Sequence, residues 1–108
     1  MRVIVHDPYL TQEAAARLEV ERVELNEMMS RADVVTVHVP KTKETTGILG
    51  AAQFAKAKPG LIVINAARGG IVDEAALYEA LESGQVGAAG LDVFVEEPPA
   101  ADHPLVNH

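Results

Sequence analysis

The sequence predicts an α/β protein: a three-layer, doubly wound parallel sheet of five strands with about four helices. Short apolar runs rich in β-branched residues alternate along the chain with helical patterns, which is typical of βαβ units. Turn and stop residues separate these segments, such as Pro40 and the Pro59-Gly60 pair. The length of 108 residues suits one domain with a real core but not two.

Five segments are predicted as strands: residues 2–6, 22–24, 32–39, 61–64 and 86–93. The run at 61–64 is apolar at every position, so we expect a parallel strand that is buried on both faces. The last segment contains Gly87 and Gly90, which indicates that a neighbour packs closely against it.

Four segments are predicted as helices: residues 12–18, 27–31, 50–56 and 73–82. Thr11 and Asn26 are suitable N-caps for the first two, and Asp73 supplies an acid at the start of the fourth, where the helix dipole favours it. Ser83-Gly84 ends that helix. Residues 94–108 contain three prolines and are predicted to form an extended tail of the single domain 1–108.

Composition excludes several classes of function. The net charge of -7 argues against nucleic acid and against an anionic membrane surface as partners. No apolar run reaches transmembrane length, and there is no secretory signal. Zero cysteines exclude disulfides and thiolate metal sites, and they fit a cytoplasmic protein. No metal site is predicted.

The turn at residues 65–74 is the strongest local candidate for a site. It places Arg68 at the carboxyl end of an apolar strand, where open α/β sheets bind ligands. Gly69 and Gly70 would allow the backbone to approach a ligand or to adopt positive φ. The same residues also fit an ordinary strand-to-helix turn with a solvated arginine.

Four motifs recur in a fixed order: VHVP at 37–40 with the loop 41–45, NAARGGIVDE at 65–74, GLDVF at 90–94 and EEPP at 96–99. Together they resemble the nucleotide-binding domain of the D-isomer-specific 2-hydroxyacid dehydrogenases. This resemblance implies a Rossmann-type domain that binds NAD. It also implies hydride transfer between NAD and a 2-hydroxy/2-oxo acid pair, with a small-molecule substrate.

The resemblance assigns cofactor-binding roles to residues along the chain. Asp7 matches the acid that accepts hydrogen bonds from the adenosine ribose, and His38, Val39 and Pro40 match a strand end on the adenosine side of the cleft. Asp92 matches the residue that holds the nicotinamide carboxamide. By itself, Asp7 fits a turn-forming aspartate before Pro8 better than a ligand, and His38 more often fits a core or turn histidine. Asp92 also fits a strand-end aspartate that accepts backbone N–H bonds.

The resemblance also assigns residues near the chemistry. Ala66 and Arg68 match contacts near the nicotinamide, and Arg68 matches the catalytic arginine, whose guanidinium suits a carboxylate and polarises a carbonyl. Glu97 matches the glutamate that pairs with the catalytic histidine. Outside the family context, Glu97 fits a solvated charge pair with Glu96.

Two departures from the family pattern lead us to expect a catalytically silent chain. No G-x-G-x-x-G turn precedes the strand at 2–6, so we expect the family's first strand–helix unit to be absent and NAD binding to be weak or lost. His103 and His108 do not match the context of the catalytic histidine, and no separate substrate domain is expected.

Losing that unit has a topological consequence. A Rossmann sheet runs 3-2-1-4-5-6, and deletion of strand 1 leaves a gap. If residues 2–6 pair with residues 32–39, the gap closes into the flavodoxin-like order 2-1-3-4-5, which we predict. The rival outcome is a homodimer that pairs or swaps its exposed strand edges.

Three hypotheses of function remain open at this point. The chain is a truncated, reconstructed or engineered half-Rossmann piece of such a dehydrogenase, folded but inactive. Alternatively, it is a stand-alone flavodoxin-like module that binds a nucleotide or phosphate. In the third hypothesis, it is a fragment that functions only together with its missing segments.

Overall fold

The structure is a computed structural model that describes residues 2–7, 10–94 and 105. Strands and helices alternate along these residues, as the sequence predicts. In chain order they are β1 (Ile4–Val5), α1 (Gln12–Arg17), β2 (Glu21–Arg22), α2 (Leu25–Arg31), β3 (Val34–Val37), α3 (Ala51–Lys56), β4 (Leu61–Asn65), α4 (Glu74–Ser83) and β5 (Val86–Leu91). The proposed tail, apart from Phe94 and Leu105, lies outside the described residues.

The strands form two parallel sheets instead of one. β1 pairs with β2, and β3, β4 and β5 pair in that order. The neighbour relations inside each half of the predicted 2-1-3-4-5 order are present. The junction between β1 and β3 is not formed in the described residues, so the prediction of one closed five-stranded sheet is not confirmed.

A groove of about 620 Å³ lies between β1 and β3, which the sequence predicts to be paired. Its walls include Val3 and Ile4 on the β1 side and Val34 and Thr36 on the β3 side. β1 spans only two residues, so closing the groove would add few ladder hydrogen bonds.

An ion-pair network also holds β2 against the end of α2. Two nitrogens of Arg31 bind the two carboxylate oxygens of Glu21 at 2.8 and 2.9 Å, and Arg31 binds Glu27 within α2 at 2.6 Å. Arg31 also lines the groove, so this network lies beside the open junction.

The core lies on one face of β3, β4 and β5. Side chains from α2, α3 and α4, namely Met29, Phe54 and Leu77, pack there against alternate strand residues such as Val35 and Val63. The described residues leave the opposite face bare: Val34 is 51% exposed, Ile62 39% and Ile64 38%. The expectation that β4 is buried on both faces is therefore wrong for the described residues, and a third layer over these strands is not confirmed.

Local signals place most helix ends correctly. Thr11 accepts a hydrogen bond from the Ala14 amide as the N-cap of α1, and Asp73 does the same for Ala76 at the start of α4. Gly84 ends α4 in the left-handed conformation, with φ of 83°.

The predicted cap at Asn26 is wrong. α2 begins two residues earlier than predicted, at Leu25, and Asn26 lies within it. Its side-chain oxygen accepts a hydrogen bond from Lys56 Nζ instead, at 3.1 Å. A capping residue that finds a tertiary partner no longer marks a helix start.

The close approach predicted at the last strand is found at Gly87. A Cβ built there would lie 2.9 Å from the carbonyl oxygen of Gly60. The register between β4 and β5 shifts at the same place, because Leu61 pairs with Val86 and Ile62 pairs with Ala88. None of the helices in the described part of the chain is long and apolar enough to cross a membrane.

Candidate functional site

The carboxyl ends of β3, β4 and β5 meet at one edge of the three-stranded sheet. Val37, Asn65 and Leu91 stand opposite one another in the last row of the ladder. The next residue on each strand is a predicted site residue: His38, Ala66 and Asp92. Neighbouring strands lie roughly 4.8 Å apart, so the backbones of the outer two are separated by about 10 Å.

His38, Ala66 and Asp92, which we call the row, are all exposed. The residues directly before them on the three strands, Val37, Asn65 and Leu91, are buried or half-buried. The structure therefore brings together predicted residues that are 28 and 26 positions apart in sequence. His38 Nε2 is hydrogen-bonded to Thr36 Oγ1 at 2.9 Å, so its ring leans back along β3. Val39 packs on the core, and the carbonyl of Pro40 accepts a hydrogen bond from Thr45 at 2.8 Å.

The turn that carries Arg68 is braced at its start by Asn65. The side-chain oxygen of Asn65 accepts from the Ala67 amide at 3.0 Å, and its side-chain nitrogen donates to the Arg68 carbonyl at 2.9 Å. The backbone carbonyl of Asn65 accepts from the Asp92 amide at 3.0 Å. One residue thus links the Arg68 turn to the end of β5.

The other end of the turn is fixed by Gly70. Its φ of 91° is the positive value that the sequence predicts at this glycine pair, and its carbonyl accepts from the Gly47 amide at 2.7 Å. Gly69 is buried instead of lining an open approach. Arg68 is exposed and has no ion pair among the residues the structure describes.

Asp7 does not belong to this row. It follows β1 in the other sheet, across the groove from β3, and its carbonyl accepts hydrogen bonds from the Leu10 amide and from Arg22 Nε. Glu97 lies outside the described residues, as do His103 and His108. In the described part of the chain, no three His, Cys, Asp or Glu side chains gather as metal ligands.

The resolved electrostatic perturbations lie away from the row. The hydrogen bond from Arg31 lowers the pKa of Glu21 from its ordinary value of 4.5, and the two glutamates beside Arg31 raise the pKa of its guanidinium. Both groups are accessible to solvent, so the pair serves to hold α2 and β2 together and not to move protons.

The sequence matches the family described as D-isomer specific 2-hydroxyacid dehydrogenase, NAD binding domain, over residues 1–108. The chain belongs to this family. Its members bind NAD, which agrees with the cofactor implied by the motifs.

Curated relatives support the same assignment. A D-3-phosphoglycerate dehydrogenase from Archaeoglobus fulgidus is 54% identical over 106 residues, covering 98% of this chain and 20% of the relative. One from Rattus norvegicus is 48% identical over 108 residues, covering the whole chain and 20% of that protein. Within the family, the motifs predict a likeness to D-3-phosphoglycerate dehydrogenases, and these relatives confirm it.

Solved structures of the family share the fold. The holo form of D-mandelate dehydrogenase from Rhodotorula graminis matches with a TM-score of 0.90 at 37% identity, covering 100% of this chain and 32% of that one. D-lactate dehydrogenase from Escherichia coli matches with a TM-score of 0.81 at 39% identity, covering 86% of this chain and 29% of that one. The Rossmann-like α/β class is therefore confirmed. The chain spans about a fifth of the length of the curated relatives.

The residues of this NAD-binding domain fit part of its cofactor. A nicotinamide carboxamide needs a hydrogen-bond acceptor and a shallow floor, and the row offers the Asp92 carboxylate beside the small Ala66 side chain. A pyrophosphate needs close backbone N–H groups at a glycine-rich helix start, and the 108 residues contain no G-x-G-x-x-G. The strand ends therefore carry an acceptor of the kind that a carboxamide needs, whereas the 108 residues contain no glycine-rich turn of the kind that a pyrophosphate needs.

No site role is predicted for Asn65 from sequence, although it is the residue that organises the row. The available signal is a single amide at the end of the apolar run 61–64, directly before the turn. A polar side chain in that position either ends the strand in solvent or braces the following turn. The hydrogen bonds of Asn65 to Ala67 and Arg68 show that it braces the turn.

Proposed function

We propose that this chain is the cofactor-binding part of an NAD-dependent D-2-hydroxyacid dehydrogenase acting on a 3-phosphoglycerate-like substrate, and that it is inactive alone. The observation that carries the proposal is the exposed row of His38, Ala66 and Asp92 beside Arg68. The relatives named D-3-phosphoglycerate dehydrogenase support the substrate class. A cytoplasmic location is part of the proposal.

Residue roles follow from chemistry and position. Arg68 offers a planar, permanently charged fork that suits the carboxylate of a hydroxy acid and stabilises charge developing on the reacting oxygen. Asp92 accepts from the nicotinamide carboxamide, and Ala66 leaves space for the ring. His38, Val39 and Pro40 form the adenosine side of the cleft.

Bound NAD supplies the hydride acceptor. Of the two histidines that the structure describes, His6 contacts the Val23 carbonyl beside the other sheet and His38 is turned towards Thr36, so we assign the exchange of the hydroxyl proton to neither. Glu97 is proposed to orient such a histidine from a segment beyond these residues. Asp7 is proposed to bind the adenosine ribose, and its carboxylate disfavours a 2′-phosphate.

The open groove supports the proposal of inactivity. It separates Asp7 from the row by an unfilled strand position, and the bare face of β3 and β4 adjoins it. A strand in the groove with a helix over that face would restore the order 3-2-1-4-5-6 and supply the missing phosphate grip.

Calorimetric titration of the 108-residue chain with NAD tests the proposal. We expect no saturable binding at micromolar NAD together with a cooperative thermal melt. Turnover should appear when the flanking segments of the Archaeoglobus fulgidus relative are supplied, and it should fall strongly with Asp92→Ala. Glu79→Ala is the control, because Glu79 is an exposed acid on α4 and lies neither at the strand ends nor in the groove.

Other outcomes separate the alternatives. Saturable micromolar binding by the chain alone would favour the stand-alone nucleotide- or phosphate-binding module, although the closed sheet on which that hypothesis depends is not formed in the described residues. A concentration-dependent doubling of mass in sedimentation would favour a homodimer that pairs the groove edges. No turnover after all segments are supplied would contradict the proposed activity.

A further inference from the structure

Asn65 is the one buried polar or charged residue that the described part of the chain contains, with 2% of its surface exposed. Burying an amide is costly unless its donor and acceptor are both engaged. Both are engaged, and both partners belong to the next turn: the Ala67 amide and the Arg68 carbonyl. The burial of this side chain therefore depends on the shape of that turn.

The turn is fixed from both sides. Asn65 holds its start and, through its backbone carbonyl, the Asp92 amide of the neighbouring strand end. Gly70 holds its far end through the Gly47 amide. The backbone of Arg68 is thus fixed while its guanidinium stays exposed, which is the arrangement expected of a preorganised cation.

This geometry requires a side chain that carries both an acceptor and a donor. A carboxylate at this position would present lone pairs to the Arg68 carbonyl, which has no hydrogen to donate. An apolar side chain of similar size would leave the Ala67 N–H and the Arg68 carbonyl without these partners. The requirement therefore concerns hydrogen-bonding pattern and not volume.

We infer that Asn65 is a positioning residue that acts through Arg68 and Asp92, holding the backbone segments that carry these two side chains in one fixed relation. The identity of the ligand that Arg68 and Asp92 contact depends on the proposed function. The positioning itself is a property of the turn and is measured without any ligand.

Backbone ¹⁵N relaxation of the 108-residue chain tests the inference. The Arg68 amide should have an order parameter of ~0.85 in the wild-type chain and fall below ~0.6 in Asn65→Ala. Val35→Ala is the matched control, because it removes core packing from the same sheet without touching the turn. In that variant the Arg68 amide should stay as ordered as in the wild type.

Asn65→Asp provides a second variant that is close to isosteric. Burial raises the pKa of the introduced carboxyl, and its protonated form regains an O–H donor for the Arg68 carbonyl. Order at Arg68 should therefore recover as the pH falls through that pKa. The charged or titratable groups on the same turn and on the neighbouring strand ends are Arg68, Asp92 and His38, and a wild-type titration over the same range controls for them. If Asn65→Ala does not fold, this variant carries the comparison.

A mobile Arg68 amide in the wild-type chain would overturn the inference. So would unchanged order in a folded Asn65→Ala chain, an equal loss of order in Val35→Ala, or no recovery of Asn65→Asp at low pH. None of these measurements contains NAD. An ordered turn without NAD binding would contradict the proposed function alone, and a mobile turn with saturable NAD binding would contradict the positioning role alone.

Discussion

The bare face of the three-stranded sheet makes a sharp prediction about two adjacent valines of β3. Val34 points to the bare face and is 51% exposed, whereas Val35 points to the helices and is 6% exposed. Substituting either with alanine removes the same two methyl groups and costs the same β-propensity. The difference between the two variants therefore measures what covers each face.

The magnitudes follow from burial. Two fully buried methyl groups are worth about 1.6 kcal/mol by transfer, and the cavity left in a packed core brings Val35→Ala to about 2.5 kcal/mol. Val34 loses about half of the transfer value, about 0.8 kcal/mol, and leaves no cavity because water fills the space. At about 4 °C per kcal/mol, the midpoints of thermal unfolding should fall by about 10 and 3 °C.

Urea unfolding followed by circular dichroism gives both free energies of unfolding, provided that the slope with urea is unchanged. Measurements at two protein concentrations serve as the control for association. Equal losses in the free energy of unfolding for Val34→Ala and Val35→Ala would contradict this prediction, because the sheet face that carries Val34 would then be covered. A loss at Val34 that grows with concentration would identify a second copy of the chain as the cover.

Three further predictions concern local contacts. Gly87→Ala should lower the free energy of unfolding by about 1–3 kcal/mol, because its Cβ would meet the Gly60 carbonyl at 2.9 Å; an unchanged urea midpoint would contradict this. Asp73→Ala should cost about 1 kcal/mol by removing the cap of α4, whereas Asp73→Asn should cost much less in the same assay. Glu21 has a lowered pKa beside Arg31, so it stabilises the fold above its ordinary value of 4.5 and loses that contribution as the pH falls through the lowered pKa. Glu21→Gln should flatten this acid limb in a plot of stability against pH, and an unaltered limb would exclude the pair as its source.

The local elements could be predicted because short-range signals decide them. Thr11 and Asp73 cap helices through contacts three residues away, and Gly84 ends α4 by its own backbone freedom. Asn26 shows where such signals fail, because its side-chain oxygen accepts a hydrogen bond from Lys56, thirty positions away, instead of capping a helix. The strand pairings within β3–β4–β5 follow from the order of βαβ units along the chain.

The junction between the sheets could not be predicted in the same way. Closing it depends on whether the ladder energy of a two-residue β1 exceeds the cost of displacing α2 and the Arg31–Glu21 pair, and neither quantity is visible in the local sequence. The bare face of β4 could not be predicted from the local sequence either. An apolar run indicates burial, but it does not say whether the cover comes from within the same segment of chain.

The row of the candidate site could be predicted because the family motifs fall at strand ends. His38, Ala66 and Asp92 occupy adjacent strand ends, and the parallel register places them side by side. Asn65 escapes prediction because its role lies in two hydrogen bonds to a turn whose shape the sequence does not specify.

The chain belongs to the NAD-binding domain family, and we propose that its phosphate-binding turn lies in a strand–helix unit that occupies the open groove. Joining a strand–helix unit that carries the family's G-x-G-x-x-G turn to Met1, and measuring NAD affinity by calorimetry, tests this proposal. We expect saturable NAD binding by the extended chain, its loss when the glycines of the added turn are changed to alanine, and none by the 108 residues alone. Equal binding by the extended and the original chains would contradict it.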